Sequence, residues 1–303
     1  GYTFEITTGT SYAAVTEALL SDQLDVGFLT ASGYAEATLK HSGKVSVMMT
    51  SVRKGYKVQV DDYPNSVENQ IKAMNGDISG YTYRGEQSNT DVNWYTSQLN
   101  VRADKYVDKN GDGKIDIKDM AGLTIARQGT TSGAGYLRPL KYLHDNNMSM
   151  VDTLSTDATT AATQIKGLYL KGYDAAYAAM QTGEVDGFWG FTDVRYSNGY
   201  NKEGNEYYHK DTAFTTSRVV AITDGIYNDT ISCRSNLSSE KQAAVKAAFK
   251  GAIKDGTTTT EGTGAYLLYN LYSHTGYTDA KDSDFDGERE FYQYCVDNDL
   301  LGN

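Results

Sequence analysis

Apolar positions along the chain follow helical spacing in some stretches and form short unbroken runs in others. From Tyr12 the order Ala-Ala-Val-Thr-Glu-Ala-Leu-Leu places Ala, Val and Leu on one helical face. After Asp25, the run Val26-Gly-Phe-Leu29 reads as a buried parallel strand. The same order returns later, with Tyr173 opening an Ala-rich helix and Asp186 preceding Gly-Phe-Trp189. Tyrosine and aspartate stand at the same offset in both copies, which predicts two related α/β lobes. Further strands are expected at Val45–Val52, Tyr95–Val101 and Arg218–Thr223, and a short amphipathic helix at Asn65–Asn75. Ser239–Lys254 reads as a helix capped by Ser238 or Ser239, with Ala243, Val245, Ala248 and Phe249 inward. A Thr/Gly run at Gly256–Gly264 ends it. Tyr95–Val101 and Arg218–Thr223 flank segment 102–217, which holds the second copy, so they are the expected crossings between lobes.

A third segment carries candidate chemistry. The strand from Leu123 to Arg127 runs into Thr130, Thr131 and Ser132, then Gly133 and Gly135, then a helix with Leu140, Tyr142 and Leu143. Unpaired N–H groups and the positive end of the dipole make a helix start a natural anion site. Plain N-capping would account for one hydroxyl. Three successive hydroxyls followed by glycines exceed that need and favour an oxyanion site. No Gly-Lys-Ser/Thr closes the segment, so it is not a P-loop.

Charge and composition narrow the partners. With 28 Lys+Arg against 39 Asp+Glu, the net charge of −11 lacks the basic face that nucleic acid or an anionic membrane surface requires. No unbroken apolar run approaches the ~18 residues that span a bilayer, and the first residues do not read as a secretory signal. Hydrophobic residues at 39% are enough for ordinary cores. The 25 tyrosines suit a small-molecule site or an exposed surface. Cys233 and Cys295 lack metal or redox spacing, which leaves one disulfide or two buried thiols open.

Together these segments resemble the phosphonate/phosphite/phosphate substrate-binding proteins of ABC importers. Tyr12-Ala-Ala-Val with Asp25-Val-Gly-Phe resembles the family's first-lobe helix and strand, and Tyr95-Thr-Ser-Gln-Leu-Asn-Val101 its first crossing. Asp119-Met-Ala-Gly-Leu-Thr-Ile-Ala126 followed by Thr130–Gly133 is similar to its oxyanion element. Gly183-Glu-Val-Asp186 and the stretch Ile226–Leu237 also match in order and spacing. The resemblance implies an α/β, two-lobed periplasmic-binding-protein fold of the Venus flytrap type II class with two crossing strands. The first lobe would hold residues 1–100 and 219–303, and the second 101–218. It implies capture of a small phosphorus-containing oxyanion between the lobes and delivery to a membrane permease with its ATPase. The protein would be a monomer that works outside the cytoplasm, in the periplasm or as a tethered lipoprotein.

Residue by residue, the resemblance implies that Tyr12 and Tyr95 line the cleft and that Thr130, Thr131 and Ser132 bind the phosphonyl oxygens. Tyr173 stands where the family usually has histidine, and Asp193 where phosphonate binders have glutamate. Asp229 matches the second acid, and the two acids would clamp a ligand ammonium. The family also opens with a strand and helix before the Tyr-Ala-Ala-Val helix, so the sequence reads as trimmed at its start.

Between a crossing strand and the oxyanion strand lies Asp108-Lys-Asn110-Gly-Asp112-Gly-Lys114-Ile-Asp116-Ile-Lys-Asp119. This spacing fits an EF-hand or dockerin-like loop over 108–119, with Asp108, Asn110, Asp112, Lys114 (backbone), Asp116 and Asp119 as oxygen ligands for a structural Ca2+. Asp282-Ser-Asp284-Phe-Asp286-Gly287 imitates its opening but has Gln293 at the twelfth position and reads as structural. His41, His144, His209 and His274 are scattered and form no catalytic motif. The competing readings are a secreted hydrolase using Asp193 and Asp229 as acid and base, and a calcium-dependent surface interaction module.

Overall fold

In the computed structural model, which describes residues 2–200 and 211–301, both copies of the helix-to-strand echo are present; His209 lies outside the described residues. The first helix spans Tyr12–Leu20, and its N-cap Ser11 hydroxyl accepts from the Ala14 N–H at 3.1 Å. The second spans Tyr173–Thr182, opening after Gly172 and closing at left-handed Gly183. The two aspartates tie each copy to a neighbouring strand. Asp25 accepts from the Arg234 guanidinium at 2.6 Å, and Asp186 accepts from the Thr124 N–H at 2.9 Å.

Strands are numbered along the chain. One sheet holds β1 (Val26–Leu29), β2 (Val45–Tyr56), β3 (Gln87–Val92), β10 (Thr230–Arg234) and β11 (Gly276–Asp279). Its order is β1-β10-β2-β11, with β3 also on β2. The other holds β4 (Trp94–Arg102), β5 (Thr124–Arg127), β6 (Ser149–Val151), β7 (Gln164–Tyr169), β8 (Gly187–Phe191) and β9 (Ser217–Tyr227). Its order is β6-β7-β5-β8-β4-β9. β5 pairs parallel with both β7 and β8, while β4 runs antiparallel to β8. The expectation of a parallel first strand is corrected, because β1 pairs antiparallel with β10, Val26 opposite Cys233. An unbroken apolar run reports burial and not direction.

Two compact units result. The first comprises residues 1–54, 90–94 and 226–298, and the second 55–89, 95–225 and 299–303. The passages at 94/95 and 225/226 fall in β4 and β9, near the expected crossings. Segment 55–89, expected with the first lobe, groups with the second unit. Its Val58, Ala73, Met74 and Tyr83 pack into one core with Ala176, Tyr177, Phe188 and Phe214, and apolar contact sets that membership.

In the first unit, Val15 and Leu19 close on β1, and a Cβ at Gly27 would lie 2.6 Å from Val15 Cγ1, so only glycine admits the helix. The helix Ser239–Lys254 has the bounds read from the sequence, with Ser238 as its cap. The helix expected from Asn65 begins at Val67 behind a Ser66 cap. Cys233 and Cys295 are both buried thiols, which closes the open disulfide question. Asp282 and Asp286 pair with Arg289, in keeping with a structural role for that stretch. No helix among the described residues is long and apolar enough to cross a membrane.

Candidate functional site

In open α/β sheets, ligands bind beyond the carboxyl ends of parallel strands, where the strand order reverses. In the second unit that place is the end of β5, which has β7 on one side and β8 on the other. The Thr130–Ser132 segment follows β5, Tyr173 follows β7, and Asp193 follows β8. Three separate stretches of sequence therefore reach one edge of the sheet.

The hydroxyls converge there. The Ser132 and Tyr173 hydroxyls lie 3.0 Å apart, and Ser132 Oγ also accepts from the Gly135 N–H at 3.1 Å. Ser132 therefore caps the turn Gly133–Leu137 that leads into the helix Arg138–Asp145, and faces Tyr173 at the same time. The hydroxyl pair carries two protons and uses one between its members, so one is directed elsewhere. Thr130 and Thr131 stand exposed beside it.

Gln128 holds this arrangement, and the sequence reading missed it. Its side-chain amide accepts from the Gly172 N–H at 2.9 Å and donates to the Gly172 carbonyl at 3.2 Å. These two hydrogen bonds fix the start of the Tyr173 helix to the end of β5. Ser97 Oγ donates to the Ala134 carbonyl at 2.6 Å and pins the turn to β4. A glutamine at a strand end carries no signal in sequence; only the fold shows what its amide faces. Tyr95 is half-buried on β4. Close by, the Tyr173 ring meets Phe191 edge-on at 5.1 Å.

Asp193 is fully buried beside an equally buried Arg195. One carboxylate oxygen accepts from the Arg195 backbone N–H at 2.8 Å, and the other from Nη2 at 2.8 Å. Nε reaches both oxygens at 3.2 Å, and Gln98 Nε2 approaches at 3.4 Å. The guanidinium lies over the Phe214 ring at 5.0 Å and the Tyr83 ring at 5.8 Å. A charge pair this deep is costly to desolvate and holds only when its bonds are complete. Arg195 was not among the expected site residues. Its proximity in sequence was visible, but its burial was not.

Tyr12 and Asp229 belong to the first unit, where Tyr12 is 38% exposed at the start of its helix. Asp229 is half-exposed, and its carbonyl accepts from the Ser51 N–H at 3.2 Å. Burial among the surrounding protein pushes its carboxyl up to about 6, and the positive charge of Arg53 pulls the other way.

Loop 108–119 turns its carboxylates inward onto its own backbone. Asp108 accepts from the Gly111 and Gly113 N–H groups at 2.6 and 2.9 Å. Asp119 accepts from Lys109, Asn110 and Asp116, and Asp112 from Lys114. Gly113 has the positive φ of 84° that the tight turn requires. Among the described residues, no group of three or more His, Cys, Asp or Glu is gathered as a metal cage.

The fold has solved counterparts. A Xanthomonas citri protein, solved bound to ATP, is 13% identical, with a TM-score of 0.61 over 97% of this chain and 86% of that one. A binding-protein component of an ABC phosphonate transporter from Pseudomonas aeruginosa is 15% identical, with a TM-score of 0.57 over 97% of this chain and 76% of that one. PhnD1 from Prochlorococcus marinus, in complex with methylphosphonate, is 12% identical, with a TM-score of 0.58 over 94% and 83% of the two chains. At these identities the likeness is one of fold. No curated protein sequence matches the chain. The model of the ABC-transporter phosphonate periplasmic substrate-binding proteins matches residues 1–285. With that match across nearly its whole length, the chain belongs to the phosphonate periplasmic substrate-binding family of ABC transporters.

Proposed function

We propose that this substrate-binding protein captures a small phosphorus-containing oxyanion, a phosphonate, phosphite or phosphate ester, and hands it to an ABC permease driven by its ATPase. Family membership supports the substrate-binding role and a place of work outside the cytoplasm. The observation that carries the ligand class is the convergence of the Ser132 and Tyr173 hydroxyls at the carboxyl edge of the second unit's parallel strands. Thr130 and Thr131 add donors there, and Tyr12, Tyr95 and Asp229 are further proposed contacts. The protein binds as a monomer and performs no chemistry on its ligand. In favour of that reading, the carboxylate of Asp193 is held by Arg195 and is not placed to activate a water.

Calcium is a second, structural part of this proposal. A carboxylate has about four acceptor positions, so Asp108, with two N–H donors, retains capacity for a cation. Asn110, Asp112, Asp116, Asp119 and the Lys114 carbonyl complete the expected ligand order.

The oxyanion assignment is tested by calorimetric titration of phosphate, phosphite, methylphosphonate and phosphate esters. Replacing Thr131 and Ser132 together with Ala removes two donors to a charged oxygen. Such bonds contribute about 1.5–3 kcal/mol each, so affinity for the best ligand should fall at least tenfold. Unchanged affinity would sink the assignment.

A further inference from the structure

We infer that a cavity in the first unit binds a small neutral molecule that carries a carbonyl oxygen on an apolar body. This goes beyond the oxyanion reading and does not depend on it. The starting point is the Thr/Gly run Gly256–Gly264, which the substrate-binding role leaves unused.

The run joins the helix Ser239–Lys254 to the helix Gly264–Tyr272. Asp255 ties its two ends together. Its carboxylate accepts from the Gly264 N–H and its carbonyl from the Ala265 N–H, each at 3.1 Å. A Cβ at Gly264 would lie 2.4 Å from the Ala252 carbonyl oxygen, so only glycine lets the helix ends approach this closely. Within the run, the Thr257 and Thr260 hydroxyls lie 2.8 Å apart, and the Thr263 hydroxyl donates to the Thr260 carbonyl at 2.7 Å. The run is a tied arch. Beside it lies a cavity of about 280 Å³, lined by Ile253, Thr257, Thr258, Ala265, His274 and Thr275, all of the first unit. That is nearly twice the ~150 Å³ cavity that holds benzene in an engineered protein interior.

His274 supplies the chemistry. Its ring is 1% exposed, and burial keeps it neutral. Nδ1 lies 3.1 Å from the Tyr277 hydroxyl, while Nε2 has no hydrogen-bond partner among the described residues. If Nδ1–H donated to the phenol oxygen, both Nε2 and the phenol proton would go unmet. If the phenol donates to Nδ1, only the Nε2–H is unmet, so completeness of hydrogen bonding assigns the proton to Nε2. A buried donor without an acceptor is costly, and a ligand oxygen would remove that cost. No charged side chain lines the cavity, so an ion would shed its water without gaining a counter-charge. Ile253, Ala265 and the threonine methyls offer apolar contact to the rest of the ligand.

Benzamide, benzoate and benzylammonium share one ring and differ in charge, and benzamide alone offers a neutral carbonyl. The probes are titrated into protein with isotope-labelled histidine, and the imidazole nitrogen shifts are followed by NMR. The His274 signals are identified by their loss in His274→Phe. In the free protein Nε2 should carry the proton. Its signal should move saturably with benzamide at millimolar concentration. Benzoate and benzylammonium should bind at least tenfold more weakly. Saturation-transfer spectra of benzamide should show an affinity about fivefold lower in His274→Phe, which keeps a ring but loses one neutral hydrogen bond. Ala265→Leu fills the cavity from its wall and should abolish the His274 shift in protein that still melts cooperatively. A proton on Nδ1, an Nε2 signal that no probe moves, or an ionic probe binding as tightly as benzamide would overturn the inference. So would displacement of benzamide by methylphosphonate, which would place the probe at the transported ligand's site. Failure of every phosphorus oxyanion to bind would overturn the oxyanion reading alone, and a benzamide response at His274 would still stand.

Discussion

His274 shows how one buried side chain sets a pH response. The ring is 1% exposed, its Nδ1 lies 3.1 Å from the Tyr277 hydroxyl, and it stacks on Tyr272. Burial holds its pKa down at about 3, and the charge of Arg53 adds to that effect. The unfolded chain takes up a proton near the ordinary value of 6.5 while the folded ring stays neutral. Stability from this group is therefore complete above pH 6.5 and is lost as pH falls toward 3, by at most about 1.4 kcal/mol per pH unit. Asp229 acts in the opposite sense. Its carboxyl is raised to about 6, so the folded state binds the extra proton and gains stability as pH falls from 6 toward 4. Urea midpoints at pH 7.5 and 5 should show wild type losing more stability on acidification than His274→Gln. Equal losses would remove His274 from the acid response.

At the level of elements, the site depends on how strand ends are tied to helix starts. Gln128 is the tie between β5 and the helix Tyr173–Thr182, and a Cβ at Gly135 would lie 2.3 Å from its Cγ. Gln128→Ala removes both bonds to Gly172 while leaving every hydroxyl in the chain. It should weaken oxyanion binding several-fold by freeing Tyr173 from Ser132, and retained wild-type affinity would show that the tie is dispensable. The proposed calcium loop is an element of a different kind: its carboxylates accept from its own backbone, while Ile115 and Ile117 anchor it in the core with Leu99 and Trp189. Ligand bound to the folded state alone stabilises by about 2.7 kcal/mol at a hundredfold excess over its dissociation constant. A chelator should therefore lower the melting temperature of wild type but not of the Asp108→Ala/Asp112→Ala variant, and should leave oxyanion affinity unchanged. A chelator effect that persists in the variant would place calcium elsewhere.

For the whole molecule the same mass-action rule applies to the transported ligand. A hundredfold excess should raise the melting temperature by several degrees, at ~2–4 °C per kcal/mol for chains of 150–250 residues. The Thr131/Ser132 double variant should show a smaller rise at the same concentration, and an equal rise would place the ligand off the hydroxyl edge. Much of this protein was legible in its sequence. A serine cap at Ser238 or Ser239, the bounds of Ser239–Lys254, both copies of the echo and the hydroxyl-glycine segment are local features, and caps and periodicity act within a few residues. Order and spacing of short strings were enough to indicate the family. Tertiary structure alone decided the antiparallel direction of β1, the membership of residues 55–89 in the second unit and the survival of both cysteines as thiols. It alone decided that Asp193 faces Arg195 and that Gln128 faces Gly172. Strand neighbours, burial and charge compensation are set by segments far apart in the chain, and no local pattern encodes which of them will meet.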